Sequence, residues 1–285
     1  MSKILCSILG CLLFASHAQA EDKLRVVSYN VWYGFTKVPD RKAAYLKWME
    51  NQKPDVVSLQ ELNGYTAEKL KVDAVTWGHK HSAILKENGF PTGISSRFPI
   101  EDVQRFREGF HHGQLRARIK GIYFYVIHLH PSNWETRGRE TDLILADIAS
   151  LPKDSKVMLV GDFNTFSTAD RKYYAHGKLE SFFSKRDGNG KEKNLRGGKI
   201  DYSVIAKFTD AGLIDLEHSK RGKDYKFTGS FPTKIAKSGD HGSARRLDYV
   251  FASPALAKRV TRAEVIANDI TWKLSDHLPV IVDLD

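Results

Sequence analysis

Cysteine is almost missing from this 285-residue chain, which has only Cys6 and Cys11. Both fall in the first twenty residues, so a chain cut after Ala20 has no disulfide, no thiolate nucleophile and no cysteine zinc site. Long apolar runs are missing too. The run from Ile4 to Ala15 is well short of the roughly 18 residues that span a bilayer, and no transmembrane anchor is expected. Nor is there a repeat of about 20 residues or more, a low-complexity tract or a Pro/Ser-rich linker that would divide the chain. One domain over residues 21–285 is the expectation.

The opening segment, MSKILCSILGCLLFASHAQA, has a lysine near its start, an apolar stretch and Ala18-Gln19-Ala20 as a small-residue cleavage pattern. It reads as a secretory signal peptide over residues 1–20, which places the protein outside the cell or in the periplasm. The chain carries 44 Lys and Arg against 34 Asp and Glu, a formal net charge of +10. Such a surface favours polyanions, nucleic acid or anionic headgroups, although solubility alone also accounts for it.

Strand and helix patterns interleave. LRVVSYNVW reads as a buried strand, DRKAAYLKWMENQKP as a helix closed by Pro54 and DVVSLQE as a second strand. HSAILKE, TGISSRF, QLRARIK and GIYFYVIHLH follow as β-rich segments whose short spacing predicts antiparallel neighbours. A helix is expected from about Asn133 to Ser150, then the strand KVMLVGD, and a helix in the stretch ending at Gly212. HGKLESFFSKRDGNGKEKNLRGGK, rich in Gly and Lys, reads as a long mobile loop. Strands return in RRLDYVF, TRAEVIA and LPVIVDL, so the class is an α/β or α+β sandwich.

Apolar strands deliver polar side chains at or near their ends: Asn30, Glu61, His128 with His130, Asp162 with Asn164, Asp248, and Asp276-His277. Turn chemistry explains any one of these but the set poorly. In an extended segment Asp162 and Asn164 share a face, as do His128 and His130. Carboxylates and an amide are hard ligands suited to Mg²⁺, Mn²⁺ or Ca²⁺. A hard cation beside His and Asp can polarise a phosphoryl oxygen and orient water for in-line attack, so phosphate-ester hydrolysis is the reaction such a set can perform.

SYNVW, DVVSLQE, GISSRFPI, IHLHP, VGDFNT, RRLDYVF and SDHLPV occur in an order and spacing that resembles the endonuclease/exonuclease/phosphatase superfamily, from about Leu24 to Asp285. That superfamily includes pancreatic-type deoxyribonucleases, abasic-site endonucleases, bacterial sphingomyelinases and inositol polyphosphate phosphatases. The resemblance implies a four-layer sandwich of two packed mixed β-sheets flanked by helices, with the site at one end of the sheets. It implies Glu61 as principal ligand of Mg²⁺ or Mn²⁺, helped by Asn30 and Asp276. Asp162 would orient and deprotonate the attacking water, and Asn164 would contact the phosphate. His277 would bond the phosphate or protonate the leaving group, with Asp248 holding its ring. His128 would be a second phosphate-side imidazole, although Ile127 stands where the family often has threonine.

His130 shares that face as a substrate contact or a structural rim residue. Arg116 and Arg118 are further phosphate contacts to consider, and Arg97 follows the GISS turn, though such cations are usually solvated. His111 and His112 are adjacent in an extended stretch and should face opposite ways, so they are not expected to be ligands. Lys185 to Lys199 reads as a solvated excursion. The expected activity is that of a secreted nuclease or nucleic-acid phosphodiesterase, acting as a monomer with no protein partner. The alternatives are hydrolysis of lipid headgroups or small phosphoesters and an inactive binding module; no clear membrane-inserting aromatic hairpin supports the former, and the intact polar set opposes the latter.

Overall fold

The computed structural model describes residues 23–236 and 241–285; the segment read as a signal peptide lies outside them. The strands run β1 (Leu24–Asn30), β2 (Val56–Gln60), β3 (His81–Ile84), β4 (Gly93–Ser96), β5 (Glu101–Phe106), β6 (Gln114–Ile119) and β7 (Ile122–His128). They continue with β8 (Lys156–Asp162), β9 (Leu195–Arg196), β10 (Lys199–Ile200), β11 (Ile214–Asp215), β12 (Asp248–Ala252), β13 (Val260–Val265) and β14 (Val280–Leu284). The longer helices are α1 (Lys42–Gln52), α2 (Ala67–Thr76) and α3 (Trp134–Ser150), followed by the short α4 (Arg171–Tyr174) and then α5 (Lys178–Asp187) and α6 (Ser203–Asp210).

Two six-stranded sheets form, in the orders β13-β14-β1-β2-β4-β3 and β11-β12-β8-β7-β6-β5. Each is mixed: β1 pairs parallel to β2 and β7 parallel to β8, while the pairs flanking them are antiparallel. Alternate residues of both sheets meet in one apolar layer, among them Val26, Val56, Phe124, Val126, Val160, Val250 and Val282. The opposite faces pack under helices, Tyr29 and Val57 with Trp48 of α1 and Leu70 of α2, and Ile127 and Leu159 with Ile144 of α3 and Phe208 of α6. This is the expected four-layer sandwich.

The layer between the sheets changes character along its length. On β1 the inner face reads Leu24, Val26, Ser28, Asn30; on β7 it reads Phe124, Val126, His128; on β8, Met158, Val160, Asp162. β12 runs antiparallel to β8 and contributes Ala252, Val250 and Asp248 to the same gradient. Period-two side-chain geometry thus makes one end of a hydrophobic core into a floor of buried polar groups.

Local signals explain several elements. Asn133 caps α3 by accepting from Glu135 N at 3.0 Å and Thr136 N at 3.2 Å, and α1 ends at Lys53, in the left-handed region (φ 50°), just before Pro54. One expectation needs correction. The stretch read as a mobile loop contains α5 and the β9–β10 hairpin, because Leu179 and Phe183, one helical turn apart, bury against Phe166 and Tyr174. Lys185 to Lys199 keeps most of its residues exposed, as read, but it includes the end of α5 and the buried Asn194.

Candidate active site

Asp162 lies between two register partners, His128 on β7 and Asp248 on β12, so three buried polar side chains form a row across adjacent strands. Gly161 makes the row possible. Its φ is +142°, and a Cβ there would lie 2.1 Å from Ile127 O on the neighbouring strand. Asp162 Oδ1 accepts from Asn164 N at 2.9 Å, and Oδ2 accepts from Asn30 Nδ2 at 3.2 Å. His277 Nε2 stands 3.7 Å and His128 Nε2 3.9 Å from that same oxygen. On its far side the His277 ring is held by Asp248, with Nδ1 2.8 Å from Oδ2.

These groups set one another's protonation. Burial alone lowers the His277 imidazole, but Asp248 and Asp162 outweigh it and raise the pKa to about 10. Burial raises Asp162 to about 7; the His277 cation works against that shift and Asp248 reinforces it. For His128 the 3.9 Å approach to Asp162 does not offset burial, and burial followed by repulsion from His277 lowers it to about 3. At neutral pH one histidine is therefore a cation and its neighbour is neutral.

The other sheet brings Asn30, Glu61 and Asp276. Asn30 Nδ2 donates to Glu61 Oε1 at 3.1 Å, Tyr33 N donates to Glu61 Oε2 at 2.9 Å, and Ser275 Oγ spans Asn30 O (2.7 Å) and Asp276 Oδ1 (3.3 Å). Glu61 follows β2 at φ 58°, a left-handed turn of backbone that redirects it from the strand's alternation into the cleft. Asp276 is raised to about 7 by burial first, with His277 opposing and Glu61 adding repulsion. Carboxylates crowded in this way suit a hard divalent cation, which would relieve both the repulsion and the cost of burial. Glu61 and Asp276 fit as its holders. Asn30 presents its amide hydrogens to Glu61 and Asp162, while its oxygen accepts from Trp32 N at 3.1 Å, so the amide bridges the carboxylates. Asp162, Asp248 and His277 also bring one ligand-capable atom each within 4.8 Å of one another. The Asp248–His277 hydrogen bond occupies one side of that trio.

Not every expected residue reaches the cleft. Arg116 and Arg118 do not line it: Leu115, Ala117 and Ile119 take the inner face of β6, and the arginines point the other way. Arg116 is clamped by both oxygens of Asp147 at 2.9 and 2.8 Å, and Arg118 bonds Glu101 at 2.7 Å. Arg97 pairs with Asp55. His130 is a supporting residue, its backbone N bonded to Glu140 and its ring accepting from Ser132 N at 3.1 Å.

Histidines 111 and 112 correct the sequence reading in the other direction. They occupy a bend before Gly113 (φ +93°) rather than a strand, and both line the cleft with their rings 4.4 Å apart. His112 stacks on His128 at 4.1 Å with 14° between planes, and His111 packs against His130 at 4.1 Å. His112 Nε2 and His128 Nδ1 are buried without hydrogen-bond partners. Burial first, then the crowding of neighbouring imidazoles led by His128, pushes His112 far below the ordinary imidazole range.

The remaining walls were not anticipated from sequence. Tyr33 and Phe90 stand on one side, in edge contact at 5.0 Å. Phe182, Arg186 and Arg245 stand on the other, contributed by α5 and the segment before β12. The one signal available was the Leu179–Phe183 spacing within the Gly- and Lys-rich stretch.

The Endonuclease/Exonuclease/phosphatase family model matches residues 27–277. Among similar solved structures is an AP endonuclease from Archaeoglobus fulgidus, 19% identical, with a TM-score of 0.64, covering 92% of this chain and 99% of its own. The 3′ phosphatase NExo from Neisseria, bound to product DNA hairpin, is 17% identical, with a TM-score of 0.65 and the same coverage, 92% and 99%. The 3′-5′ exonuclease NExo from Neisseria meningitidis is 16% identical at a TM-score of 0.64, covering 92% and 100%. At these identities the likeness is one of fold.

Proposed function

The chain belongs to the endonuclease/exonuclease/phosphatase family, hydrolases acting on phosphoester bonds, and we propose that it is an exported, divalent-metal-dependent nuclease or nucleic-acid phosphodiesterase. The observation that carries the chemistry is the Asp162–His277–Asp248 cluster facing Glu61 and Asp276 across one cleft. Glu61 and Asp276 would hold a divalent cation, which when bound would supply Lewis-acid chemistry to phosphoester hydrolysis. Asp162, oriented by Asn30 Nδ2 and Asn164 N, positions a water and takes its proton. His277, kept protonated and aligned by Asp248, presents Nε2–H to the phosphoryl oxygen or the departing oxygen. Neutral His128 offers a hydrogen bond on the same side, and Asn164, whose Nδ2 bonds Leu129 O at 3.1 Å, lines the approach.

Nucleic acid as substrate is supported by the net charge of +10 and by a fold neighbour that binds a DNA hairpin. Export is supported by the pattern of residues 1–20. The test is a panel of duplex DNA, RNA, sphingomyelin and a phosphomonoester, each with Mg²⁺ or Mn²⁺. Cleavage of DNA or RNA well above the others is expected. Turnover confined to sphingomyelin or the monoester would overturn the substrate assignment.

A further inference from the structure

Arg245 and Arg246 are consecutive, both buried, and treated in opposite ways. Arg246 is neutralised by Asp170, Asp215 and Glu217 at 2.7 to 2.8 Å. Among the described residues Arg245 bonds only carbonyl oxygens, with Nη1 donating to His241 O at 2.5 Å and Ser243 O at 2.9 Å. Its Nε is buried without any partner. The guanidinium sits over the rings of Phe231 (4.5 Å), Phe183 (5.4 Å) and Phe182 (5.8 Å), whose faces give partial support to the charge. A buried cation without a counter-ion is costly, and the same segment shows that this fold can supply carboxylates to a buried arginine.

Arg245 also lines the cleft that holds Asp162 and His277, a space of about 350 Å³ that accepts a group of nucleotide size. Burial lowers its pKa to about 9, Arg186 adds repulsion, and Asp162 and Asp276 support the charge without bonding it, so it stays charged at neutral pH and gains from an anion in direct contact. Arg186, on the same wall, already has a counter-ion in Glu192, at 2.8 and 2.9 Å. Among the described residues, Arg245 is therefore the cleft cation to which no carboxylate is hydrogen-bonded.

We propose that Arg245 is the seat for a second phosphate, the one adjoining the scissile phosphate along a nucleic-acid strand. The inference rests on the phosphodiesterase reading and narrows it, because a substrate with a single phosphate leaves Arg245 without its anion. The rings around the guanidinium exclude water from the contact, which strengthens a charge-assisted hydrogen bond there. Substrate preference then depends on the phosphate next to the cleaved bond as well as on the bond itself.

The experiment measures binding by calorimetry in EDTA, so that no turnover intervenes, with the full chain and thymidine dinucleotides carrying no terminal phosphate, a 5′-phosphate or a 3′-phosphate. Inositol mono- and bisphosphate form a parallel pair. In the wild-type protein one of the two terminal phosphates is expected to increase affinity tenfold or more. Arg245→Met, which keeps the packing against the phenylalanines, reduces that increment to less than threefold, and Arg245→Lys restores part of it. No increment in the wild type, or the same increment in Arg245→Met, overturns the subsite; an increment confined to the inositol pair overturns its assignment to nucleic acid. Failure of the phosphodiesterase reading is distinct, since it appears as intact dinucleotides after Mg²⁺ or Mn²⁺ is restored, with the affinity increment unchanged.

Discussion

A single imidazole shows how neighbours assign a role. His277 is buried, which by itself disfavours its cation, yet the hydrogen bond to Asp248 and the nearby Asp162 raise it to about 10, while Asp162 is raised to about 7. The base needs Asp162 deprotonated, above about 7, and the donor needs His277 protonated, below about 10, so kcat/KM is expected to be bell-shaped with its plateau between those limits. A bound cation stabilises carboxylates and moves the acid limb lower. Asp248→Asn removes an anion that supports the imidazolium, so the alkaline limb should shift to lower pH; an unmoved limb would show that Asp248 does not set the His277 proton. His277→Ala should reduce kcat about 10²- to 10⁴-fold, the usual contribution of a positioned acid or base. Steady-state kinetics with a circular-dichroism control separates that loss from unfolding.

The strand ends carry the site, and they were the most legible elements in the sequence. Asp162, Asp248 and His128 could be read as a set because period-two alternation is local: Asp162 and His128 follow apolar residues on the same face, and Asp248 precedes them. Glu61 also ends a readable strand, but its aim depends on a positive φ that sequence does not announce. α2 escaped notice because its exposed Val72 and Val75 blur the apolar stripe, and β5 because, as a largely exposed edge strand, it lacks buried alternation. His112 and Arg245 owe their places to a bend and to chain segments distant in sequence. Gly161→Ala forces a Cβ onto the backbone of β7 at an unfavourable φ and should cost about 2 kcal/mol or more, read from urea midpoints; an unchanged midpoint would mean the strands can separate without cost. His79 joins the end of α2 to β4 and to the connection before β2, with Nε2 2.9 Å from Pro54 O and Nδ1 facing Trp77 Nε1 and Ser95 Oγ. Burial lowers its pKa to about 4, against 6.5 in the unfolded chain, so its contribution is full above 6.5 and is lost as pH falls through 4. That loss is on the order of 3 kcal/mol. His79→Gln should flatten the decline of stability between pH 7 and 4, and an equally steep decline in the variant would assign it to other groups.

Across the whole molecule, the fold places a polar floor where two apolar sheets end, and the chain's formal net charge of +10 favours polyanions. Among the described residues no helix is long and apolar enough to cross a membrane. If that excess of basic residues serves nucleic acid, affinity should fall steeply with salt, with a log-log slope of about −0.9 per duplex phosphate contacted. A nearly flat slope measured with an Asp162→Asn protein would remove charge as an argument for the substrate. The salt dependence is not expected to come from Arg116, which Asp147 already holds. The proposed joint action of Asp162 and a hard cation on a phosphodiester is tested most directly by cleavage of a labelled DNA duplex by metal-stripped wild-type and Asp162→Asn proteins as Mg²⁺ or Mn²⁺ is titrated back. No product is expected without metal, with activity in the wild type that rises and saturates with the ion and a rate about 10²- to 10⁴-fold lower in Asp162→Asn at saturation. Full-rate cleavage by the stripped protein, or equal rates in the two proteins, would contradict that joint action.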